Sequence, residues 1–301
     1  MSRGRPLTAY AGIAVVAAGA VIVLKLVAWW MTGSVGLLSD AVESTANLAG
    51  ALMALAMLRL AARPPDDDHA FGHSKAEYFS SGFEGALILV AGAAVLWLAF
   101  GRLFEPQSLV SVGPGLFIAA MASILNLGVA RLLLRAGQEA GSIALEAGGR
   151  HLMADVWTSV GVIAGVGLAA MTGWAPLDAL VALAVGAHVL HTGAGLLRRS
   201  ALGLLDTALE PEELERIDTV LQAHEARGIR FHALRTRRAG RRCFVSMHVL
   251  VPGDWSVQRA HDVAEVIERE IEALLPGGTV FTHLEPVDDP ASFRDETIRP
   301  L

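Results

Sequence analysis

The stretch SIALEAGGRHLMADVWTSVGVIAGVGLAAM (142–171) is long and apolar enough to cross a bilayer, yet it contains His151 and Asp155. An ionisable side chain at bilayer depth costs several kcal/mol, so such groups are retained mainly where they serve a function. In a helix, positions i and i+4 share one face, with Cβ atoms about 5–6 Å apart. The spacing therefore predicts a polar face on a membrane helix that could hold one ion.

The composition of the whole chain indicates a membrane protein. Of its 301 residues, 53% are hydrophobic and only 18% are charged, which is more apolar than an ordinary soluble domain. The apolar residues fall into stretches of membrane-spanning length, each bounded by short polar or Gly/Pro-containing breaks. These stretches predict a six-helix transmembrane domain over residues 1–205, with helices at 8–31, 36–62, 76–101, 112–135, 142–172 and 177–198.

After residue 205 the composition changes to a soluble mixture that predicts a second domain over 206–290. Charged helical periodicity and alternating strand patterns give the order helix, strand, strand, helix, strand, a ferredoxin-like αββαβ layer. Residues 291–301 are predicted to be a flexible tail. The single cysteine, Cys243, excludes an intramolecular disulfide, and we expect neither an organic cofactor nor a nucleic-acid partner.

A second polar cluster lies in GLLSDAVESTANL (36–48), inside another predicted membrane helix. If this helix faces the one that contains HLMAD, the two offer one imidazole nitrogen and three oxygens, a count that fits a tetrahedral divalent-metal site. An interhelical hydrogen-bonded pair without metal is the alternative. The candidate ligands are Glu43, Asn47, His151 and Asp155.

Two further clusters of metal-ligating residue types lie outside the predicted helices of the membrane. The loop PPDDDHAFGHSKAE (64–77) contains Asp66, His69 and His73, which form either a metal site or a solvated acidic loop. In the second domain, Glu285 follows His283 by two residues, which puts both on one face of the last strand. The histidines of this domain are either metal ligands or scattered surface residues; the candidates are His232, His248, His261 and His283.

Taken in this order, GSVGLLSDAVESTANL (33–48), DDDHAFGHSKAE (66–77), HLMAD and the histidine-bearing domain make nearly the whole chain resemble the cation diffusion facilitator family of divalent-metal/proton antiporters. The resemblance implies an intramembrane transport site formed by Glu43, Asn47, His151 and Asp155, and a loop site formed by Asp66, His69 and His73. It further implies a homodimer with a binuclear site at its interface, built from His232, His248, His261, His283 and Glu285.

Two features of the resemblance leave alternatives open. Lys75 and Asp206 resemble the family's charge pair that locks the dimer, or they form an ordinary surface ion pair. Zinc-transporting relatives usually carry His or Asp in place of Glu43 and Asp in place of Asn47. The neutral amide lowers the charge of the site by one, so Zn²⁺ is expected first while Fe²⁺, Mn²⁺, Co²⁺ and Cd²⁺ remain open. Asp40 could also act as a ligand.

The expected function is export of a divalent cation from the cytoplasm in exchange for protons, a transport activity and not an enzymatic one. Histidine suits this role because imidazole titrates near neutral pH and binds metal only in its neutral form. Basic residues at the helix ends predict that both termini are cytoplasmic. The compact chain, with no long His-rich loop, favours a bacterial inner membrane. The alternatives are a membrane-anchored metal sensor and an intramembrane metal-dependent hydrolase, which the absence of HExxH disfavours. Glu84, His188 and His191 lie in predicted membrane helices without an assigned role.

Overall fold

The computed structural model describes residues 6–32, 35–104, 114–174 and 176–294, and the chain divides between Ala201 and Leu202 into two compact units. Within the described residues, the helical unit is built from the six predicted helices, of 26 to 30 residues each. At about 1.5 Å per residue, each exceeds the roughly 30 Å hydrocarbon core of a bilayer. The helices are α1 Leu7–Thr32, α2 Val35–Ala61, α3 Ala76–Phe104, α4 Pro114–Ala140, α5 Ile143–Thr172 and α6 Pro176–Leu204.

In the described part of the chain, α1, α2, α3, α4 and α6 contain segments long and apolar enough to span a membrane. Helices α3, α4 and α6 end three, five and six residues beyond the predicted apolar stretches, because hydropathy marks the apolar part of a helix while its backbone hydrogen bonds continue through polar residues. The end of α4 shows what does stop a helix. Gly141 adopts a φ of 64°, and the Ser142 amide donates to the Gly137 carbonyl at 2.8 Å, the bonding pattern of a Schellman cap.

Helix α5 is buried from two sides, which explains how it can carry polar residues. On one side Leu145 and Leu152 join an apolar cluster with residues of α1, α2 and α4. On the other side Ala154 packs in a cluster with Ile88 of α3 and Val189 of α6. Polar groups on a helix enclosed in this way avoid the hydrocarbon and can pair with neighbouring helices.

The second unit, which we call the α/β unit, begins at Leu202 and has the predicted αββαβ order. The central strand β2 pairs antiparallel with β1 and parallel with β3, and α8 provides the crossover that a parallel pair requires. A 3-10 turn, Pro290–Phe293, follows β3, and the predicted tail 291–301 lies outside the described residues beyond Arg294. The elements are α7 Pro211–Glu225, β1 Arg230–Ala239, β2 Arg242–Val251, α8 Val257–Leu274 and β3 Gly278–Pro286.

The two faces of β2 have different surroundings, because successive side chains of a strand point to opposite faces. Val245, Met247 and Val249 join the hydrophobic core that also contains Ile217 of α7 and Ile267 of α8. His248 lies between Met247 and Val249 and therefore on the opposite face of the sheet. The core thus fixes which face of the sheet presents the histidines.

Candidate metal centres

Inside the helical unit, α2 and α5 are joined by a hydrogen bond between two predicted transport-site residues. The Nδ2 of Asn47 donates to the Oδ2 of Asp155. This bond uses a donor of the amide and leaves its oxygen as the atom that can bind a cation. The backbone of Asp40 and Glu43 belongs to α2, but the side chains of both lie outside the described residues.

His151 has a partner on a third helix. Its Nδ1 lies within hydrogen-bond distance of the Oε2 of Glu84 on α3, and the two residues are only 5% and 2% exposed. The sequence identifies Glu84 as a costly carboxyl group in an apolar helix but does not reveal this pairing. The cost of placing a carboxyl group in an apolar helix is the only signal of Glu84 in the sequence. The pairing with His151 could not be predicted, because it joins residues that are far apart in the chain.

Asn47, Glu84 and His151 line one small cavity, whose remaining wall consists mostly of Ala, Leu and Gly side chains. Its volume is about 20 Å³. A single water needs a cavity of roughly 10–15 Å³, so this cavity has room for one water or one ion of similar size. The geometry therefore combines ionisable and amide groups with a space for a single small ligand.

In the loop between α2 and α3, Asp66 contacts both predicted histidines. Its Oδ1 lies 3.1 Å from the Nδ1 of His69, and its Oδ2 lies 3.3 Å from the Nε2 of His73. One ligand atom from each residue can be chosen such that all three lie within 4.8 Å of one another. The Nδ1 of His73 is buried and has no hydrogen-bond partner among the described residues. The structure thus brings this predicted set together.

The two histidines also affect the charge of Asp66. Desolvation acts to raise the pKa of its carboxyl group, but hydrogen bonds from the His69 side chain and amide, with the charges of both imidazoles, hold that pKa below its ordinary value. A carboxylate that stays ionised is the form that binds a cation. The Asp66 carboxylate is therefore ionised at neutral pH.

The register of the sheet aligns three of the predicted histidines of the α/β unit. His232 of β1 lies opposite His248 of β2, which in turn lies opposite His283 of β3. The register shifts just after His232, where Ala233 adopts a φ of 51°. Such a bulge re-aims the neighbouring side chains and is common beside functional sites.

Glu285 joins this row of histidines from two residues further along β3. Its Oε2 lies 2.8 Å from the Nε2 of His232 and 3.2 Å from the Nδ1 of His248, and its Oε1 lies 3.7 Å from the Nε2 of His283. His232, His248 and Glu285 can each direct one ligand atom to a common point, all within 4.8 Å of one another. His261 lies on α8, where its Nε2 is 4.0 Å from the Oε1 of Glu265.

The remaining predicted residues have other surroundings. His188 and His191 are exposed on α6, and the His188 ring meets that of Trp157 edge-on, with 5.9 Å between centroids. Asp206 adopts a φ of 57° and accepts a hydrogen bond from the Nη1 of Arg237 at 3.1 Å. Lys75 belongs to the helical unit and Asp206 to the α/β unit. Their pairing stays a prediction.

Comparison with known proteins gives matches over nearly the whole chain. An uncharacterized transporter of Synechocystis sp., sll1263, is 52% identical over 285 residues, which cover 95% of this chain and 92% of that one. The cation-efflux pump FieF of Klebsiella pneumoniae subsp. pneumoniae is 31% identical over 288 residues, 95% of this chain and 94% of that one. A solved structure of CzrB in its zinc form covers 28% of this chain and 96% of its own, at 39% identity and a TM-score of 0.26.

Two family models account for both units of the chain. The cation efflux transmembrane domain matches residues 12–205, and the cytoplasmic domain of cation efflux proteins, a dimerisation domain, matches residues 209–287. Both matches agree with the arrangement of six membrane helices followed by an αββαβ unit. The chain therefore belongs to the cation efflux family, also called the cation diffusion facilitator family.

Proposed function

We propose that this protein is a homodimeric antiporter that exports a divalent metal ion from the cytoplasm in exchange for protons. The observation that carries the proposal is the pairing of Asn47 with Asp155 beside the cavity that His151 lines, within helices of membrane-spanning length. Polar groups on two facing helices at bilayer depth are costly unless they serve a substrate. The similarity to proteins named cation-efflux pumps supports the cation-efflux part of this proposal.

The chemistry of the site suits exchange between a metal ion and protons. Imidazole binds metal only when neutral, so binding at His151 would displace a proton. Asp155 and Glu43 would supply negative charge to the ion and could carry protons when it leaves. Movement of α2 and α5 relative to their neighbours would open the site to each side of the membrane in turn.

We assign Zn²⁺ as the first choice of substrate. An imidazole nitrogen with carboxylate oxygens suits Zn²⁺ at bond lengths of about 2.0–2.2 Å. The neutral amide of Asn47 makes the site less negative and richer in weak oxygen ligands, which keeps Fe²⁺ and Mn²⁺ as the main competitors. The same argument leaves Co²⁺ and Cd²⁺ as substrates to be tested.

The two clusters outside the membrane helices would bind metal for regulation. His232, His248 and Glu285 offer two nitrogens and one oxygen, three of the four ligands that a tetrahedral zinc site needs. His283 lies beside this set, and His261 would join it from α8 in the dimer. Metal bound to these residues would make the transport rate respond to the cytoplasmic metal concentration. The Asp66, His69 and His73 cluster would bind metal at the membrane surface.

The decisive test is metal flux in inside-out proteoliposomes under an imposed pH gradient, with Zn²⁺, Fe²⁺, Mn²⁺, Co²⁺ and Cd²⁺ compared. The wild-type chain should take up metal and release protons, and Asp155→Ala should abolish both fluxes while the dimer persists. Glu139→Ala, a change of an exposed acid at the end of α4, serves as the control and should transport normally. Undiminished flux in Asp155→Ala would refute the assigned site. A chain that binds metal without any flux would instead be a sensor.

A further inference from the structure

Glu84 is a buried carboxyl group in α3 to which nothing in the proposed transport site assigns a role. It is 2% exposed, and its Oε2 contacts the Nδ1 of His151 on α5. A carboxyl group in a helix of membrane-spanning length is costly and is expected to face a functional partner. The partner here is the one imidazole of the proposed transport site.

The helices next to Glu84 carry glycines that leave room for its carboxylate beside His151. Gly50 lies on α2 one turn after Asn47, and a Cβ atom at Gly50 would lie only 2.7 Å from the Cδ of Glu84. Gly148, one turn before His151 on α5, would place a Cβ atom 3.9 Å from the Glu84 Oε1. Glycines on both neighbouring helices thus border the position of the carboxylate.

The same carboxylate borders the small cavity that Asn47 and His151 also line. The cavity has room for one water or one ion, so a ligand held there would lie close to all three side chains. Glu84 therefore belongs to the immediate surroundings of the proposed substrate and is not an isolated buried acid.

The chemistry of imidazole gives this contact a specific consequence. A histidine that binds metal through one ring nitrogen almost always donates the hydrogen of the other nitrogen to a carboxylate, a carbonyl or water. A carboxylate at Nδ1 fixes the tautomer in which Nδ1 carries the hydrogen. The lone pair is then on Nε2 of His151, which becomes the nitrogen available to a metal ion.

We propose that Glu84 is the positioning carboxylate of the transport site, holding His151 with Nε2 as its metal-binding atom. It also supplies, from α3, the negative charge that the neutral amide of Asn47 does not provide. This inference rests on the proposed function. It extends the site from two helices to three and makes α3 part of the determinants of metal affinity.

The test compares variants of Glu84 in the full-length protein. Glu84→Gln keeps the shape but removes the negative charge and adds an amide donor that can face Nδ1 in place of the acceptor oxygen. Loss of such an outer partner typically weakens metal affinity by about 10–100-fold. Glu84→Asp keeps the acceptor with a shorter reach and should restore part of the affinity. Gly50→Ala leaves Glu84 in the sequence but intrudes on its carboxylate, and should weaken affinity in the same direction.

Glu77→Gln is the matched control, because Glu77 is also a buried acid of α3 but accepts a hydrogen bond from the Oγ of Ser142. All variants are built on a parent that carries His73→Ala and Glu285→Ala, which disable the other two clusters. Zn²⁺ affinity is measured by calorimetry, the ligand field by Co²⁺ absorption, and flux in proteoliposomes as KM and maximal rate. The dimer is checked by size-exclusion chromatography.

The expected result is a 10–100-fold rise in Kd and KM for Glu84→Gln, a changed Co²⁺ spectrum, partial recovery in Glu84→Asp and near-parent values for Glu77→Gln. Unchanged affinity in Glu84→Gln, or an equal loss in Glu77→Gln, would overturn the inference while the parent still transports. A wild-type chain that neither binds nor moves metal would overturn the proposed function itself, and this inference with it.

Discussion

Asn47 is the residue of the proposed transport site whose chemistry we expect to affect the choice of metal most. Its amide donates to Asp155, so the two side chains attract each other even without a cation. A carboxylate at the same position would repel Asp155 in the metal-free protein and would be relieved by a bound ion. We therefore expect the amide to stabilise the metal-free site and to lower its affinity for a divalent cation.

Replacing Asn47 by Asp should reverse this balance. We expect Asn47→Asp to bind Zn²⁺ about tenfold more tightly, equivalent to about 1.4 kcal/mol, with a smaller gain for Mn²⁺. Calorimetric titration of the dimer with each ion measures the change. Asn126→Asp, which adds a charge at another buried asparagine of the helical unit, is the control and should leave Zn²⁺ affinity unchanged. An unaltered Zn²⁺ affinity in Asn47→Asp would show that the amide does not tune the site.

At the scale of the secondary-structure elements, patterns along the chain predicted the helices and strands, because these depend mainly on local sequence. Apolar length predicted the six membrane helices, and periodicity predicted the αββαβ order of the second unit. The contact between Glu84 and His151 could not be predicted in this way. It depends on which helices pack together and at what height, a property of the whole bundle that no repeat within α3 or α5 encodes.

The histidine row of the sheet shows the same limit. Alternation along β3 predicted that His283 and Glu285 share a face, and the structure has their side chains 3.7 Å apart at the closest N–O pair. The alignment of His232 with His248, however, depends on strand register and on the bulge at Ala233. A shift of one residue would move every side chain of a strand to the other face.

Helix α7 offers a test of how a single charge stabilises an element. Its first turn has a capping box between Glu210 and Glu213, and both carboxylate oxygens of Glu213 lie 2.5 Å from the Nη2 of Arg238. Desolvation acts to raise the pKa of Glu213, but the hydrogen bonds and charge of Arg238 lower it below the ordinary value. The ionised form is therefore favoured by the folded state.

Glu213→Gln should remove this charge while keeping an acceptor that a capping box can use. Because the pKa of Glu213 is lowered by folding, its stabilising effect is present above the ordinary value of 4.5 and is lost as the pH falls through the folded-state value. At pH 7 we expect the variant to lose about 1 kcal/mol of stability in α7. This loss corresponds to about fivefold faster hydrogen exchange in that helix. Exchange rates of the full-length protein, corrected for intrinsic rates, measure this loss.

The pH dependence and a neighbouring acid provide the controls. Wild type and Glu213→Gln should converge in α7 protection as the pH falls well below 4.5. Glu212→Gln changes an exposed acid in the same helical turn and should differ little from wild type at any pH. A difference between wild type and Glu213→Gln that persists at low pH would assign the effect to shape instead of charge.

At the scale of the whole molecule, candidate metal ligands occur in both units. The helical unit exposes large apolar side chains such as Val16, Val90 and Phe117, as expected of surfaces that face lipid. The α/β unit has its own core and its own cluster of histidines around Glu285. Coupling between the two units would let metal binding outside the membrane alter transport within it, and it requires residues that link them.

Lys75 and Asp206 resemble the charge pair that locks the dimer in this family, and a double-mutant cycle tests whether they pair. If the two charges pair in the dimer, Lys75→Ala and Asp206→Asn should each lower the thermal stability of the dimer. The double variant should then lose less stability than the two single variants lose together. The expected coupling is about 1 kcal/mol, within the range for residues in contact. Asn is chosen because it tolerates the positive φ of Asp206.

A second cycle supplies the comparison within a single unit. Arg237 donates to Asp206 at 3.1 Å, so Arg237→Ala and Asp206→Asn should be coupled whatever Lys75 does. Melting of the dimer, followed by light scattering, measures both cycles under the same conditions. Coupling in both cycles would mean that Asp206 is shared between the lock and its own unit. Strict additivity for Lys75, with coupling retained for Arg237, would show that Lys75 does not pair with Asp206 and that the two residues do not lock the dimer.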